Sequence, residues 1–176
     1  MKINKEQKEQ LEKIYQTFLN DEKIKRMINI PMHRGSNCYI HSFKVAKRAI
    51  KRAIGTHKDN INLEMVLLGA ILHDYYLYDW RSDREKLRGH GKNHPHIAAD
   101  NAEKDFEISE DVKKIIHSHM WPINFSEYPK TREAKIVSIS DKAVTLKEVL
   151  TTKGHKKKNE QKYFDYIKTL FDEGGK

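Results

Sequence analysis

The stretch that decides the fold runs from Leu67 to Trp80 and reads LLGAILHDYYLYDW. Its first part, Leu67 to Leu72, has the apolar character of a buried helix. The imidazole of His73 and the carboxylate of Asp74 follow at once. Polar and charged groups at the end of a buried helix carry a large desolvation cost unless they are paired. The sequence therefore predicts partners for both side chains elsewhere in the chain.

The composition is that of one helical domain with a highly charged surface. The chain has 176 residues, of which 38% are hydrophobic and 34% charged, and this length is enough for one substantial core. No apolar run is long enough to cross a bilayer, and the first ten residues lack a signal-peptide core. We therefore expect no membrane partner. Because the single cysteine, Cys38, cannot form an internal disulfide, we also expect a cytoplasmic protein.

The net charge of +9 admits phosphorylated small molecules or nucleic acid as partners. The basic residues are not one block, however. They form separate clusters, such as Lys51-Arg52 and Lys156-Lys157-Lys158, and many others are interspersed with acids. A solvated basic surface is the simpler interpretation, so nucleic-acid binding has only weak support. No pattern in the sequence determines the oligomeric state.

Apolar residues at helical spacing predict an all-α, single-domain helical bundle with no strand. Asn62 is expected to cap the third helix, Pro95 to lie in the first turn of the fourth, and Ser109 to start the fifth. The segment from residue 77 to residue 93 is rich in Arg, Lys, Asp and Gly, and we interpret it as a loop. The predicted helices cover residues 1–20, 38–54, 62–73, 95–106, 109–119 and 131–150, with a last helix around Tyr163 to Leu170.

Side chains that commonly bind metals occur on several of these helices. Asp141, within SISDKAV, lies among apolar residues, where an aspartate is rarely needed for packing. Imidazole and carboxylate ligands together suit Mn, Fe, Co, Ni or Zn better than Mg, and helical bundles often build such sites from facing helices. The candidate side chains are those of His41, His73, Asp74, His94, His119 and Asp141.

Helical periodicity favours His119 over His117 as the functional histidine of the fifth helix. Val112, Ile115 and His119 share one helix face by steps of three and four residues. His117 is two residues from His119, which is roughly 200° around the helix axis. We therefore expect His117 to point elsewhere.

The order His41, His73-Asp74 and Asp141 resembles the HD-domain superfamily of metal-dependent phosphohydrolases. The segments CYIHSFKVAKRA, LLGAILHD, HPHIAADNA and IVSISDKAV are similar to successive elements of that family, and the resemblance covers about residues 33–150. HDYYLYDW, HGKNHP and SHMWPI together resemble a bacterial branch of it. The resemblance implies an HD-type metal-binding core at residues 31–150. Residues 1–30 would then be an N-terminal helical segment of the same domain, and residues 151–176 a basic linker and C-terminal helix.

The resemblance also implies which residues bind metal. His41, His73, Asp74 and Asp141 would hold a first divalent cation. His94 and His119 match the positions that hold a second cation in two-metal members, where the carboxylate of the His-Asp pair bridges the two. One or two divalent ions are therefore expected, and the typical family reaction is hydrolysis of a phosphate mono- or diester, often of a nucleotide.

Further residues are candidates for catalysis or substrate binding, although a surface or packing role is an alternative for each. The predicted catalytic residues are Asp74, Asp79 and His90. The predicted substrate-binding residues are Arg34, His90, Trp121 and Lys142. Family members that act in nucleotide signalling continue His-Asp with Ile-Gly-Lys, whereas Tyr75, Tyr76 and Leu77 follow here. The missing lysine argues against cleavage of cyclic dinucleotides.

Two other functions fit the same sequence. Some relatives with this fold use a di-iron centre for oxygenation, and the histidine-rich second set of ligands permits that chemistry. A non-catalytic module that contains metal and binds a nucleotide or nucleic acid is the third interpretation. Its support is the basic charge alone, because no aromatic residues alternate with the basic clusters.

Overall fold

The computed structural model describes residues 3–32, 36–56, 60–82 and 84–151. Within these ranges the chain forms seven α-helices and one short 3-10 helix, with no β-strand, so the all-α prediction is confirmed. The helices are α1 (Lys5–Asn20), α2 (Glu22–Lys25), the 3-10 helix (Arg26–Asn29), α3 (Cys38–Gly55), α4 (Leu63–Leu72), α5 (Arg84–Phe106), α6 (Glu110–Ser118) and α7 (Arg132–Thr151). The predicted C-terminal helix lies outside the described residues, as does Arg34.

Helix α4 is the centre of the bundle. It is apolar around its whole circumference, as expected for a helix that other helices surround, and it packs against α3, α6 and α7. Gly69 lies where α6 comes closest, since a Cβ atom at this position would be only 2.5 Å from Ile115 Cγ2. Helix α4 ends at Leu72 inside the bundle, and this places His73 and Asp74 in its interior.

Local capping explains why the helices begin where they do. The side-chain oxygen of Asn62 accepts a hydrogen bond from the amide of Met65 at 3.1 Å, and Ser109 Oγ accepts one from Val112 at 3.4 Å. These side chains satisfy amide groups that the first turn of a helix leaves without partners. The predicted starts of α4 and α6 are therefore confirmed.

The prediction for residues 77–93 is wrong from Arg84 onward. Helix α5 begins at Arg84, and Pro95 lies inside it rather than in its first turn. A proline lacks the amide hydrogen that would bind the carbonyl four residues earlier, so it usually marks a helix start. Here α5 continues through it. His90 and His94 therefore lie one turn apart on a single helix.

The N-terminal helices pack into the same core as the rest of the chain. Leu11 and Tyr15 of α1 are buried, and the ring of Tyr15 meets Phe43 of α3 edge to face at 5.2 Å. The short helices between residues 22 and 29 did not emerge from the sequence pattern. The proposed boundaries at residues 30 and 150 stay a prediction. No helix in the described ranges is long and apolar enough to cross a membrane.

Candidate metal centre

The ends and middles of five helices bring together six side chains of the types that bind metal ions. His41 lies in the first turn of α3, where the side chain of Asn37 caps the helix. All six side chains are buried, and their residues are His41 and His73 (0% exposed), His119 (1%), His94 (3%), Asp74 (5%) and Asp141 (7%). Three sets of three residues occur among them, and in each set the potential ligand atoms lie within 4.8 Å of one another, close enough to bind one ion.

The first group of ligands consists of His41, His73, Asp74 and Asp141. The Nε2 atom of His41 lies 3.1 Å from Asp141 Oδ1 and 3.8 Å from Asp74 Oδ2. The Nε2 atom of His73 lies 3.2 Å from Asp74 Oδ2 and 3.7 Å from Asp141 Oδ1. Two imidazoles and two carboxylates therefore face one another across a space that a divalent cation can fill.

The second group consists of Asp74, His94 and His119. The Nε2 atoms of His94 and His119 are 3.0 Å apart, and they lie 3.3 Å and 3.7 Å from Asp74 Oδ1. Asp74 is thus shared between the two groups, with Oδ2 directed to the first and Oδ1 to the second. A carboxylate divided in this way can bridge two cations.

Backbone carbonyls fix the orientation of three histidine rings. The Nδ1 atoms of His73, His94 and His119 lie 2.9, 2.7 and 2.7 Å from the carbonyl oxygens of Ala70, His90 and Ile116. A carbonyl can only accept, so each Nδ1 carries a hydrogen and, in a neutral ring, Nε2 keeps its lone pair. Metal-binding histidines are commonly oriented by this kind of contact.

The residues fit a bound cation. The Nε2 atom of His73 is buried and makes no hydrogen bond within the described residues. The facing lone pairs of His94 and His119 would repel each other without a proton or cation near them. Burial, helped by the neighbouring imidazoles of His73 and His94, lowers the pKa of His119 to about 3. His119 therefore stays neutral and able to bind a metal.

Without a cation, protons balance the carboxylates of the first group. Burial alone would lower the pKa of His41, but hydrogen bonds to Asp141 and Glu148 outweigh it and raise the pKa to about 9. Burial also opposes the charged form of His73, yet the neighbouring Asp74 and Asp141 raise its pKa to about 10. A metal ion must displace these protons to bind, so metal affinity and pH are linked.

Comparison with known proteins assigns the chain to a family. A scan against protein-family models matches residues 38–146, more than half of the chain, with the model described as HD domain. The chain belongs to the HD-domain family. A search of curated proteins and a search of solved structures each gave no match. HD domains bind divalent metals, so the family assignment and the buried His/Asp cluster support each other.

His90 lies beside the candidate ligands of the HD domain without belonging to either group. Its ring stacks on His94 with centroids 4.4 Å apart and on Trp80 with centroids 4.9 Å apart. Its Nδ1 atom is 3.0 Å from the hydroxyl of Tyr78. The aromatic segment that follows His73-Asp74 thus forms one wall next to the second group.

Three other predicted residues lie at the edge of the HD-domain cluster or away from it. Asp79 is exposed, and its carboxylate accepts the amide hydrogen of Arg81 within a turn, so its catalytic role stays a prediction. The ammonium group of Lys142 donates to the backbone carbonyl of His119 and lies 3.6 Å from Asp141 Oδ2. Trp121 meets the ring of Tyr128 in the loop after α6. The substrate contacts of Lys142 and Trp121 stay predictions.

The side chains of His117 and His119, at the end of α6, point to different sides, as the periodicity predicts. His119 enters the cluster, whereas His117 packs against His96 on the outer side of α5 and α6, with ring centroids 4.6 Å apart. One relevant residue did not emerge from the sequence, namely Glu148 of α7. It lies two helical turns after Asp141 and thus on the same face, and this spacing is the signal that could have revealed it.

Proposed function

We propose that this HD domain is a metal-dependent phosphohydrolase that cleaves a phosphate mono- or diester of a small molecule, with a nucleotide as one candidate. The observation that carries the proposal is the shared carboxylate of Asp74, whose two oxygens lie within 3.3 Å of histidine nitrogens in both groups. We also propose a cytoplasmic location, on the basis of the single cysteine.

The cluster is suited to holding two cations side by side. His41, His73 and Asp141 would hold the first, His94 and His119 the second, with Asp74 between them. Divalent cations supply Lewis acidity, which makes water a nucleophile near neutral pH and offsets the charge of the phosphoryl group in the transition state. Iron, manganese, cobalt, nickel and zinc all suit this mixture of imidazole and carboxylate.

His90 is the proposed proton donor for the leaving oxygen. With the Tyr78 hydroxyl donating to its Nδ1 atom over 3.0 Å, the ring carries its hydrogen on Nε2. Its stacking on His94 keeps it next to the second group. Lys142 contributes a nearby positive charge, since its ammonium group is held by the carbonyl of His119 and lies close to Asp141.

A panel of phosphate mono- and diesters, nucleotides included, tests this function. The unaltered chain loaded with Mn²⁺ or Co²⁺ is expected to hydrolyse at least one class of ester, and Asp74→Ala is expected to abolish turnover. Asp111 of α6 is an exposed aspartate that pairs with Lys114 at the surface, so Asp111→Ala serves as the matched control. Activity that survives in Asp74→Ala would contradict the proposal.

The four histidines of the cluster also support a second candidate, a di-iron oxygenase. This candidate requires iron and consumes oxygen, whereas phosphoester hydrolysis proceeds with Mn²⁺ or Co²⁺ under anaerobic conditions. A non-catalytic module would bind metal and show no turnover with either set of substrates. Salt-dependent binding to nucleic acid without turnover would favour this third function.

A further inference from the structure

His41 differs from the other three histidines of the cluster in what orients its ring. The Nδ1 atoms of His73, His94 and His119 each face a backbone carbonyl. The Nδ1 atom of His41 instead lies 2.9 Å from Oε2 of Glu148, a carboxylate that is 8% exposed. This ring is therefore held by a side chain, and by a negatively charged one.

A second pair of residues holds Glu148 in place. Its other oxygen, Oε1, accepts a hydrogen bond from Lys44 Nζ at 2.7 Å and one from Ser36 Oγ at 3.4 Å. Lys44 lies one turn after His41 on α3, and Glu148 lies two turns after Asp141 on α7. Helices α3 and α7 thus meet at two successive contacts. The first joins His41 to Asp141 within the cluster, and the second joins Lys44 to Glu148 beside it.

We propose that Glu148 is a positioning residue that fixes the hydrogen of His41 on Nδ1 and so presents a bare Nε2 to the first metal ion. A carboxylate on the far nitrogen also makes an imidazole a stronger metal ligand, and loss of such a partner typically lowers metal affinity by about 10- to 100-fold. This inference rests on the proposed metal centre, but it concerns affinity rather than the reaction.

The variant Glu148→Gln tests the assignment because an amide has one oxygen and one NH₂ group. The Glu148 carboxylate faces the His41 ring on one side and Lys44, with the more distant Ser36 hydroxyl, on the other, so the amide must turn its NH₂ group toward one side or the other. Lys44 is cationic and competes for the oxygen. The NH₂ group then faces His41, whose hydrogen moves to Nε2, where it opposes metal binding.

The double variant Lys44→Met/Glu148→Gln distinguishes this mechanism from a general structural effect. Without the ammonium group, the amide oxygen is available to accept from His41 Nδ1, and the productive tautomer returns. We expect the dissociation constant for Mn²⁺ or Co²⁺, measured by competition with a chelator, to rise about 10- to 100-fold in Glu148→Gln. Part of that loss should be recovered in the double variant.

Glu127→Gln is the matched control, because Glu127 lies 3.8 Å from His96 Nε2, outside the metal cluster. It should bind metal like the unaltered chain. Equal affinity in Glu148→Gln and Glu127→Gln would overturn the inference while leaving the metal centre intact. A double variant that binds no better than Glu148→Gln would overturn the assignment of the tautomer. Failure of the unaltered chain to bind either cation would instead overturn the proposed function together with this inference.

Discussion

Two histidine pairs formed by the same two helices show what distinguishes a candidate metal site from an ordinary contact between two rings. The inner pair, His94 and His119, is buried, and its Nε2 atoms lie 3.0 Å apart beside Asp74. The outer pair, His96 and His117, lies two residues away on each helix. The His96 side chain is 45% exposed, and its acidic neighbour, Glu127, is 3.8 Å away.

Residue type and helix pairing are therefore not sufficient to form a candidate metal site. Both pairs place two imidazoles across the contact between α5 and α6. The inner rings are also fixed by backbone carbonyls and face a buried carboxylate that two groups of ligands share. Burial increases the cost of leaving such groups without a cation, since unpaired polar atoms are far more costly inside a protein than at its surface.

Removal of each pair should give the largest contrast. We expect His94→Ala/His119→Ala to lose one of two bound cations and to lower phosphoester turnover by more than about 100-fold, since a missing ligand exceeds the effect of a missing supporting group. His96→Ala/His117→Ala should keep both cations and full turnover. Elemental analysis and a hydrolysis assay measure the two effects. Equal losses in both variants would contradict the distinction between inner and outer pairs.

His90, which stacks on the inner pair, provides the next test. If it supplies a proton to the leaving oxygen, His90→Gln should lower kcat by about 100-fold without changing the metal content. Tyr78→Phe should lower kcat less, because it removes only the hydroxyl that fixes the His90 tautomer. Substrates whose leaving groups need no proton, such as nitrophenyl esters, should be much less affected. An equal loss with both kinds of substrate would remove His90 from the proton-donor role.

The pH dependence of stability should also come from the buried cluster, through His41 and His73 of the first group. The pKa of His41 is raised to about 9 and that of His73 to about 10. Their protonation therefore stabilises the metal-free fold fully below the unfolded value of about 6.5, and this stabilisation is lost as pH rises toward 10. Thermal melting of metal-free protein should show a falling Tm between pH 6.5 and 10.

Metal should reverse that trend, because a cation binds the deprotonated rings and is favoured as pH rises. The pKa of His119 is lowered to about 3, so its protonation changes stability only below the unfolded-state pKa of about 6.5. That range lies outside the window from pH 6.5 to 10. The outer double variant should retain the same pH profile as the unaltered chain. A metal-free protein whose Tm is constant from pH 6.5 to 10 would show that the two rings are not protonated.

The smallest effect concerns the spacing of α4 and α6, which carry His73 and His119. A Cβ atom at Gly69 would lie 2.5 Å from Ile115 Cγ2, so Gly69→Ala should lower the free energy of unfolding by about 1–3 kcal/mol. Gly55, at the end of α3, has nothing within 4 Å of a Cβ atom. Gly55→Ala should raise stability by about 0.4–1 kcal/mol. Chemical denaturation of both variants checks the contrast.

The sequence was informative wherever local chemistry determines structure. Caps such as Asn62 and Ser109 and the apolar periodicity predicted helix starts that the structure contains. Pro95 misled the prediction for α5, because a proline is a local signal of a helix start whereas this helix begins at Arg84 and continues through the proline. Local signals therefore gave the all-α class but not every boundary.

The candidate site required non-local information that periodicity alone does not provide. The ordered motifs around His41, His73-Asp74 and Asp141 predicted a set of ligands through a family resemblance, and the HD-domain match confirms the family. The contact between Glu148 and His41 joins residues 107 positions apart in the chain. No local pattern specifies such a pair, although the two-turn spacing of Glu148 from Asp141 restricts where to look.

The role proposed for Asp74 is to join the two groups of candidate metal ligands through one carboxylate. Its most direct test is elemental analysis of the unaltered chain and of Asp74→Asn, each reloaded with Mn²⁺ and freed of excess metal. We expect about two ions per chain in the unaltered protein, as in two-metal hydrolytic sites, and a loss from both groups in Asp74→Asn. An Asp74→Asn variant that retains both ions, or an unaltered chain that retains none, would contradict the account.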